Sequence, residues 1–170
     1  MPQAEPYTPD ALLAELHADL EPWLRANKGT LSVAADPYNF LELLADSPSA
    51  FRVVLHWAGE QNPSDQEGAG VFAPQKFDLG VTANLGLTAT PEIALFKPGP
   101  NATRPPLLQL VAAVRDRVRG YTWPAGNTTR YMLYRGCDPV TLPDAMPLRA
   151  YRLQFQLTIG LPPAYYRNLL

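Results

Sequence analysis

At 170 residues with a formal net charge of −2, the chain has single-domain size and no global basic field, which excludes a polyanion binder that relies on overall charge. Its 46% hydrophobic and 18% charged residues are those of a globular chain, and its 19 prolines, about twice the usual share, predict many fixed corners. The single Cys137 excludes an intrachain disulfide and a cysteine-based zinc site, and the first ten residues carry no signal-peptide pattern, so a soluble, unexported chain with no membrane contact is expected.

Thr8-Pro9-Asp10 starts a helix, with Thr8 as cap and proline at the first helical position. Leu12, Leu13, Leu16, Leu20 and Leu24 follow at helical spacing, and the helix is expected to end near Lys28-Gly29. Pro22 lies inside it and predicts a kink or a split. Asp36-Pro37 repeats the start signal for a second helical piece, with Phe40, Leu41, Leu43 and Leu44 as its apolar stripe and Ser47-Pro48 as its stop. Two helical pieces are thus expected before the first strand.

Residues 51–57 alternate Phe51, Val53, Leu55 and Trp57 against Arg52, Val54 and His56, which predicts a strand. Residues 59–75 form a long polar loop, expected to be flexible in the isolated subunit, with Val71 and Phe72 as its apolar anchors. A second strand alternates from Phe77 to Thr88, and its glycines predict bulges or close backbone approach. Residues 93–96 are too short and too proline-flanked to assign.

Leu107, Leu108, Leu110, Val111, Val114 and Val118 mark the clearest amphipathic helix, closed by Arg115, Arg117, Arg119 and then Gly120. A strand at 130–135 and a connection at 136–147 lead to residues 148–161, the longest unbroken alternation in the chain. There Tyr151, Leu153, Phe155, Leu157, Ile159 and Leu161 oppose Ala150, Arg152, Gln154, Gln156, Thr158 and Gly160. This strand either sits centrally under a helical layer or extends past its own subunit to meet a neighbour. The sum is one α+β domain over 1–170: a four-stranded, mainly antiparallel (mixed) sheet with helices packed on one face. Residues 162–170, with Tyr165, Tyr166 and Arg167, form a C-terminal tail expected to dock.

Candidate chemistry is sparse. His17 and His56 stand outside any metal-ligand spacing; His17 reads as a helix-surface residue, and His56 as facing outward on its strand or lining a contact. Cys137 reads as a turn cysteine, the EGAG stretch lacks the residues of a phosphate loop, and Asp65 and Glu67 read as solvated loop carboxylates. Asn101 and Asn127 match glycosylation sequons but serve more simply as a helix cap and a turn. No cofactor, metal or catalytic group is expected. An enzyme built from His56, Asp78 and Arg130, and a monomeric binding module using 59–75, stand as the other readings.

The leucine-rich helix ALLAELHADLEPWL, the FRVVLHW strand, the FDLGVTANLGL strand after its long loop, the PPLLQLVAAVRDRV helix and the closing AYRLQFQLTIGL strand carry a family likeness. In that order, covering nearly the whole chain, they resemble the tail terminator and tail-completion proteins of long-tailed bacteriophages. The proline-rich linkers and the second helical piece depart from the pattern. The resemblance implies a structural, non-enzymatic virion protein assembled in the host cytoplasm: a homomeric ring, six-fold like the tail tube, that caps the tube and joins it to the head. Its implied partners are the tail tube protein and the head-tail connector proteins, with DNA met only as it passes through the lumen. Subunit or tail contacts are expected at Arg152, Gln154 and Gln156, at Tyr165, Tyr166 and Arg167, and at Val71 and Phe72, since tyrosine and arginine are enriched at interface hot spots.

Overall fold

The computed structural model describes residues 7–46, 51–61, 77–91, 93, 100, 105–122, 131–142 and 148–161. In chain order these form α1 (Pro9–Ala26), β1 (Thr30–Ala34), α2 (Pro37–Ala45), β2 (Phe51–Gln61), β3 (Phe77–Ala89), α3 (Leu107–Val118), β4 (Leu133–Val140) and β5 (Arg149–Leu161). The strands make one sheet in the order β1-β2-β3-β5-β4. β1 runs parallel to β2, and the other three pairings are antiparallel. The class is α+β with a mixed sheet, but the sheet has five strands rather than the expected four.

In α1 the Thr8 hydroxyl accepts a hydrogen bond from the Ala11 amide at 3.1 Å, and Pro9 occupies the first turn, where no amide is needed. Leu12, Leu16, Leu20 and Leu24 recur every fourth residue and are all buried. Pro22 does not split the helix. It removes one intrahelical bond, while the leucines on either side each contribute about 1.5–3 kcal/mol by burial and hold the last turn in place. The helix closes with Lys28 at φ 58° and with the Gly29 amide donating to the Leu24 carbonyl at 2.8 Å, a Schellman closure. The glycine is spent on space rather than on the left-handed position. A Cβ at Gly29 would lie 2.5 Å from the Phe51 ring, which is itself buried in the core.

β1 corrects the expectation that two helices precede the first strand: it lies between α1 and α2 and pairs with β2 from Thr30↔Arg52 to Ala34↔His56. α2 then starts on a reciprocal cap. The Asp36 carboxylate accepts from the Asn39 amide at 2.8 Å, and the Asn39 side-chain oxygen accepts from the Ala35 amide at 3.1 Å.

The helices pack on both faces of the sheet, not on one. On the first face α1 and α3 cover Phe51, Val53, Leu55, Leu85, Leu153 and Phe155. On the second, Phe40 and Leu44 of α2 bury against Val54 and Ala34 as a smaller core. The physical reason is in β2: Val53, Val54 and Leu55 are consecutive apolar residues, so this strand presents apolar side chains to both sides and needs a cover on each. Gly86 on β3 lets that second cover seat, because a Cβ there would lie 2.7 Å from Leu44 Cδ2 and from Phe40 Cζ. Of the two roles expected for the β3 glycines, Gly86 takes close approach. The register shifts fall elsewhere, at Trp57/Gly59 in β2, where Gly59 has φ 118°, and at Tyr134/Gly136 in β4.

α3 buries Leu107, Leu110, Val111, Val114 and Val118, carries Arg115 and Arg117 in its last turn and is followed by Gly120 at φ 84°. Arg117 donates to the Asp19 carboxylate at 3.2 Å and the Tyr121 hydroxyl donates to Glu15 at 3.0 Å, tying the end of α3 to α1. β4 begins later and runs further than the expected strand at 130–135. It continues through Gly136, Asp138 and Pro139, read above as connection. As an edge strand it tolerates the proline, whose missing amide can face outward. β5 pairs along its whole length with β3, from Ala89↔Arg149 to Phe77↔Leu161. Its length is therefore matched inside the subunit under the helical layer, one strand away from the central β3. Residues 59–61 of the expected loop belong to β2; the rest of that loop, with Asp65, Glu67, Val71 and Phe72, lies outside the described residues, as do Asn101, Asn127 and Arg130.

Candidate functional site

The second face of the sheet is covered unevenly. α2 packs over β1, β2 and β3, while on the β5 and β4 side Arg152, Gln154 and Thr158 stay exposed. Alternation puts these polar side chains on the face opposite Leu153, Phe155 and Leu157, which are fully buried. Strand pairing then fixes their neighbours. Arg152 is in register with Asp138 and its guanidinium lies 3.6 Å from that carboxylate; Arg135 Nε donates to Gln156 Oε1 at 2.9 Å. Both pairs are exposed enough that each is worth well under about 1 kcal/mol. Gln154 is in register with Gly136, beside which a Cβ would meet nothing within 4 Å. The result is a polar platform with a bare notch next to Gln154.

The platform borders a row of polar side chains that the sequence reading missed. His56, Asn84 and Gln154 lie side by side across β2, β3 and β5. Gln154 is exposed, whereas His56 and Asn84 are only 5% and 9% exposed. His56, expected to face outward or line a contact, is instead roofed by α2, with its ring 5.3 Å from that of Phe40. Burial lowers its pKa below the ordinary 6.5, partly opposed by the Asp36 carboxylate. The folded chain thus holds His56 neutral, and the unfolded chain binds the proton more readily. The stabilisation is complete above the ordinary histidine pKa and is lost as pH falls below it. Unfolding midpoints in urea should therefore fall between about pH 7.5 and about pH 5.5, and less so in His56→Gln. A midpoint that holds constant in the native chain, or drops equally in the variant, contradicts this.

The other sequence candidates are scattered. His56 pairs with Asn84, and Asp78 stands six residues further along β3, about 20 Å away at roughly 3.4 Å per residue; the expected His56–Asp78 combination does not converge. Cys137, expected in a turn, is a half-buried residue of β4 in register with Leu153, and burial pushes its thiol pKa up, away from the reactive thiolate. His17 sits on the outer side of α1 with Nδ1 3.8 Å from Glu21. Arg115 is spoken for by Asp116 at 2.8 Å and lies 6.0 Å from the Tyr134 ring centre.

Tyr165, Tyr166 and Arg167 lie outside the described residues. The register nevertheless fixes where their segment starts. Phe77 pairs with Leu161 and Gln61 with Gly80, so segments 62–76 and 162–170 both leave from one end of the sheet. The two stretches expected to make contacts are thereby rooted together. No helix among the described residues is long and apolar enough to cross a membrane. Compared with known protein families and with curated proteins, the chain matches none.

Proposed function

We propose that the chain is a structural subunit of a long-tailed bacteriophage, a tail terminator or neck protein whose copies close into a ring on the end of the tail tube and join it to the head. The observation that carries this reading is the polar platform of Arg152, Gln154 and Gln156, a sheet face on which Arg152 and Gln154 are exposed and Gln156 is half-buried. A polar sheet face of this kind suits contact with another protein layer. The order of elements, helices against a mixed sheet, agrees with the sequence resemblance. In this account the platform faces the tube or the connector, the ring has the six-fold symmetry of the tube, and DNA passes through its lumen without sequence-specific contact.

The test is Arg152→Glu examined in particles by electron microscopy. The side chain is about half exposed and its Asp138 partner is more exposed still, so the substitution should change stability by no more than about 0.5 kcal/mol. Heads and tails left unjoined, or overlong tails, are expected. Normal joined virions carrying the variant protein would contradict the assignment.

A further inference from the structure

We infer that α2 is a movable cover: it lifts from the sheet while α1, α3 and the strands beneath stay folded, and the lifted form opens His56 and Asn84 into one polar strip with Gln154. The seat under this helix is polar. Among the described residues, the buried side-chain atoms without a hydrogen-bond partner are Arg52 Nε, His56 Nδ1, Asn84 Oδ1 and Thr88 Oγ1. Register gathers them into two cross-strand pairs on the face that carries α2, Arg52 with Thr88 and His56 with Asn84, on either side of Val54 and Gly86. A buried polar group left unpaired costs its full desolvation, and contact with water removes that cost. The closed position of α2 is therefore opposed by its own seat.

Little apolar contact holds the cover down. α2 buries Phe40 and Leu44, whereas α1 buries four leucines and α3 five side chains. Tyr38 and Leu41, on its outer side, are exposed. Among the described residues, the polar ties from the sheet to α2 gather at its C-terminal end, where Arg52 donates to the Leu43 carbonyl at 2.9 Å and to the Asp46 carboxylate at 2.7 Å. At the other end the Asp36 and Asn39 caps bond within their own turn, and the contact with the polar row is the Phe40 ring, 5.3 Å from that of His56. Segments with few buried apolar contacts open locally at lower cost than the whole fold. The strip that lifting frees is already aligned, since His56, Asn84 and Gln154 are in register across β2, β3 and β5. The platform thus extends as far as β2 with no change in the sheet, and the lifting stands whether or not the chain forms a ring.

Hydrogen exchange of the native full chain, read residue by residue, tests this. Amides 40–45 are expected to exchange at least about tenfold faster than the interior amides of α1 and α3; equal rates overturn the inference. Leu16→Ala removes a buried side chain from the core on the first face. It should speed exchange in α1 and α3 and leave amides 40–45 unchanged, because the lifted form keeps position 16 buried. Acceleration of all three helices by the same factor means that α2 opens only with the whole fold, and overturns the inference. His56→Phe sets an apolar ring under Phe40 in place of the unpaired imidazole, and should slow exchange at amides 40–45 about fivefold or more. Unchanged rates in that variant mean that α2 merely frays at its ends, which overturns the inference as well.

Discussion

Val114→Asp is expected to yield no soluble folded protein. Val114 is fully buried in α3, in the core that joins α1 and α3 to the sheet. The substitution forfeits about 1.5–3 kcal/mol of apolar burial and places an unpaired carboxylate where desolvation costs several kcal/mol more. A domain's whole stability is about 5–15 kcal/mol, so the sum approaches or exceeds it. Expression followed by circular dichroism checks this. Soluble protein with an unchanged melting temperature would mean that α3 does not pack through this side chain.

Gly86→Val should be the most damaging substitution on the other face. Even a single added carbon would come within 2.7 Å of Leu44 Cδ2 and Phe40 Cζ, and valine adds two more. Overpacking of this kind costs about 1–3 kcal/mol, and the relief available is to lift α2 away from the sheet. Lifting α2 also removes Phe40 from His56, so the His56 pKa should rise back toward that of a solvated histidine. Melting curves and a histidine titration by nuclear magnetic resonance read the two effects together. Gly136→Ala is the control: nothing lies within 4 Å of a Cβ there, and the change should stay within about 0.5 kcal/mol. Equal losses at both glycines would show that α2 is not seated on Gly86.

Much of this fold could be read directly from the residues. The proline-led caps at Thr8 and Asp36, the four-residue spacing of the leucines in α1 and the long alternations of β3 and β5 are local signals, and each element formed where its signal stood. β1 escaped because it has only five residues and two large apolar ones, Leu31 and Val33, between a glycine and a helix start. β4 was displaced because Gly136 and Asp138-Pro139 resemble a turn, whereas an edge strand absorbs both through a bulge and an outward-facing proline. The cover on the second face had a signal, the run Val53-Val54-Leu55, but strict alternation in the surrounding residues hid it. That cover is why His56 is buried although its place in the alternation pointed outward.

The platform was legible in part. Alternation alone puts Arg152, Gln154 and Gln156 on one face, but which side chains meet them is a matter of register. Asp138 lies 14 residues from Arg152 and Arg135 lies 21 from Gln156 in the chain, and both reach the platform only through the pairing of β4 with β5. The same holds for the two outer edges: no single stretch reveals that β1 and β4 end the sheet on opposite sides and run in opposite directions.

The central claim is a closed ring of identical subunits, and native mass spectrometry of the purified full chain tests it most directly. The account predicts one dominant species of six copies, unchanged by Arg152→Glu. A single-chain mass for the native protein across the accessible concentration range would contradict it.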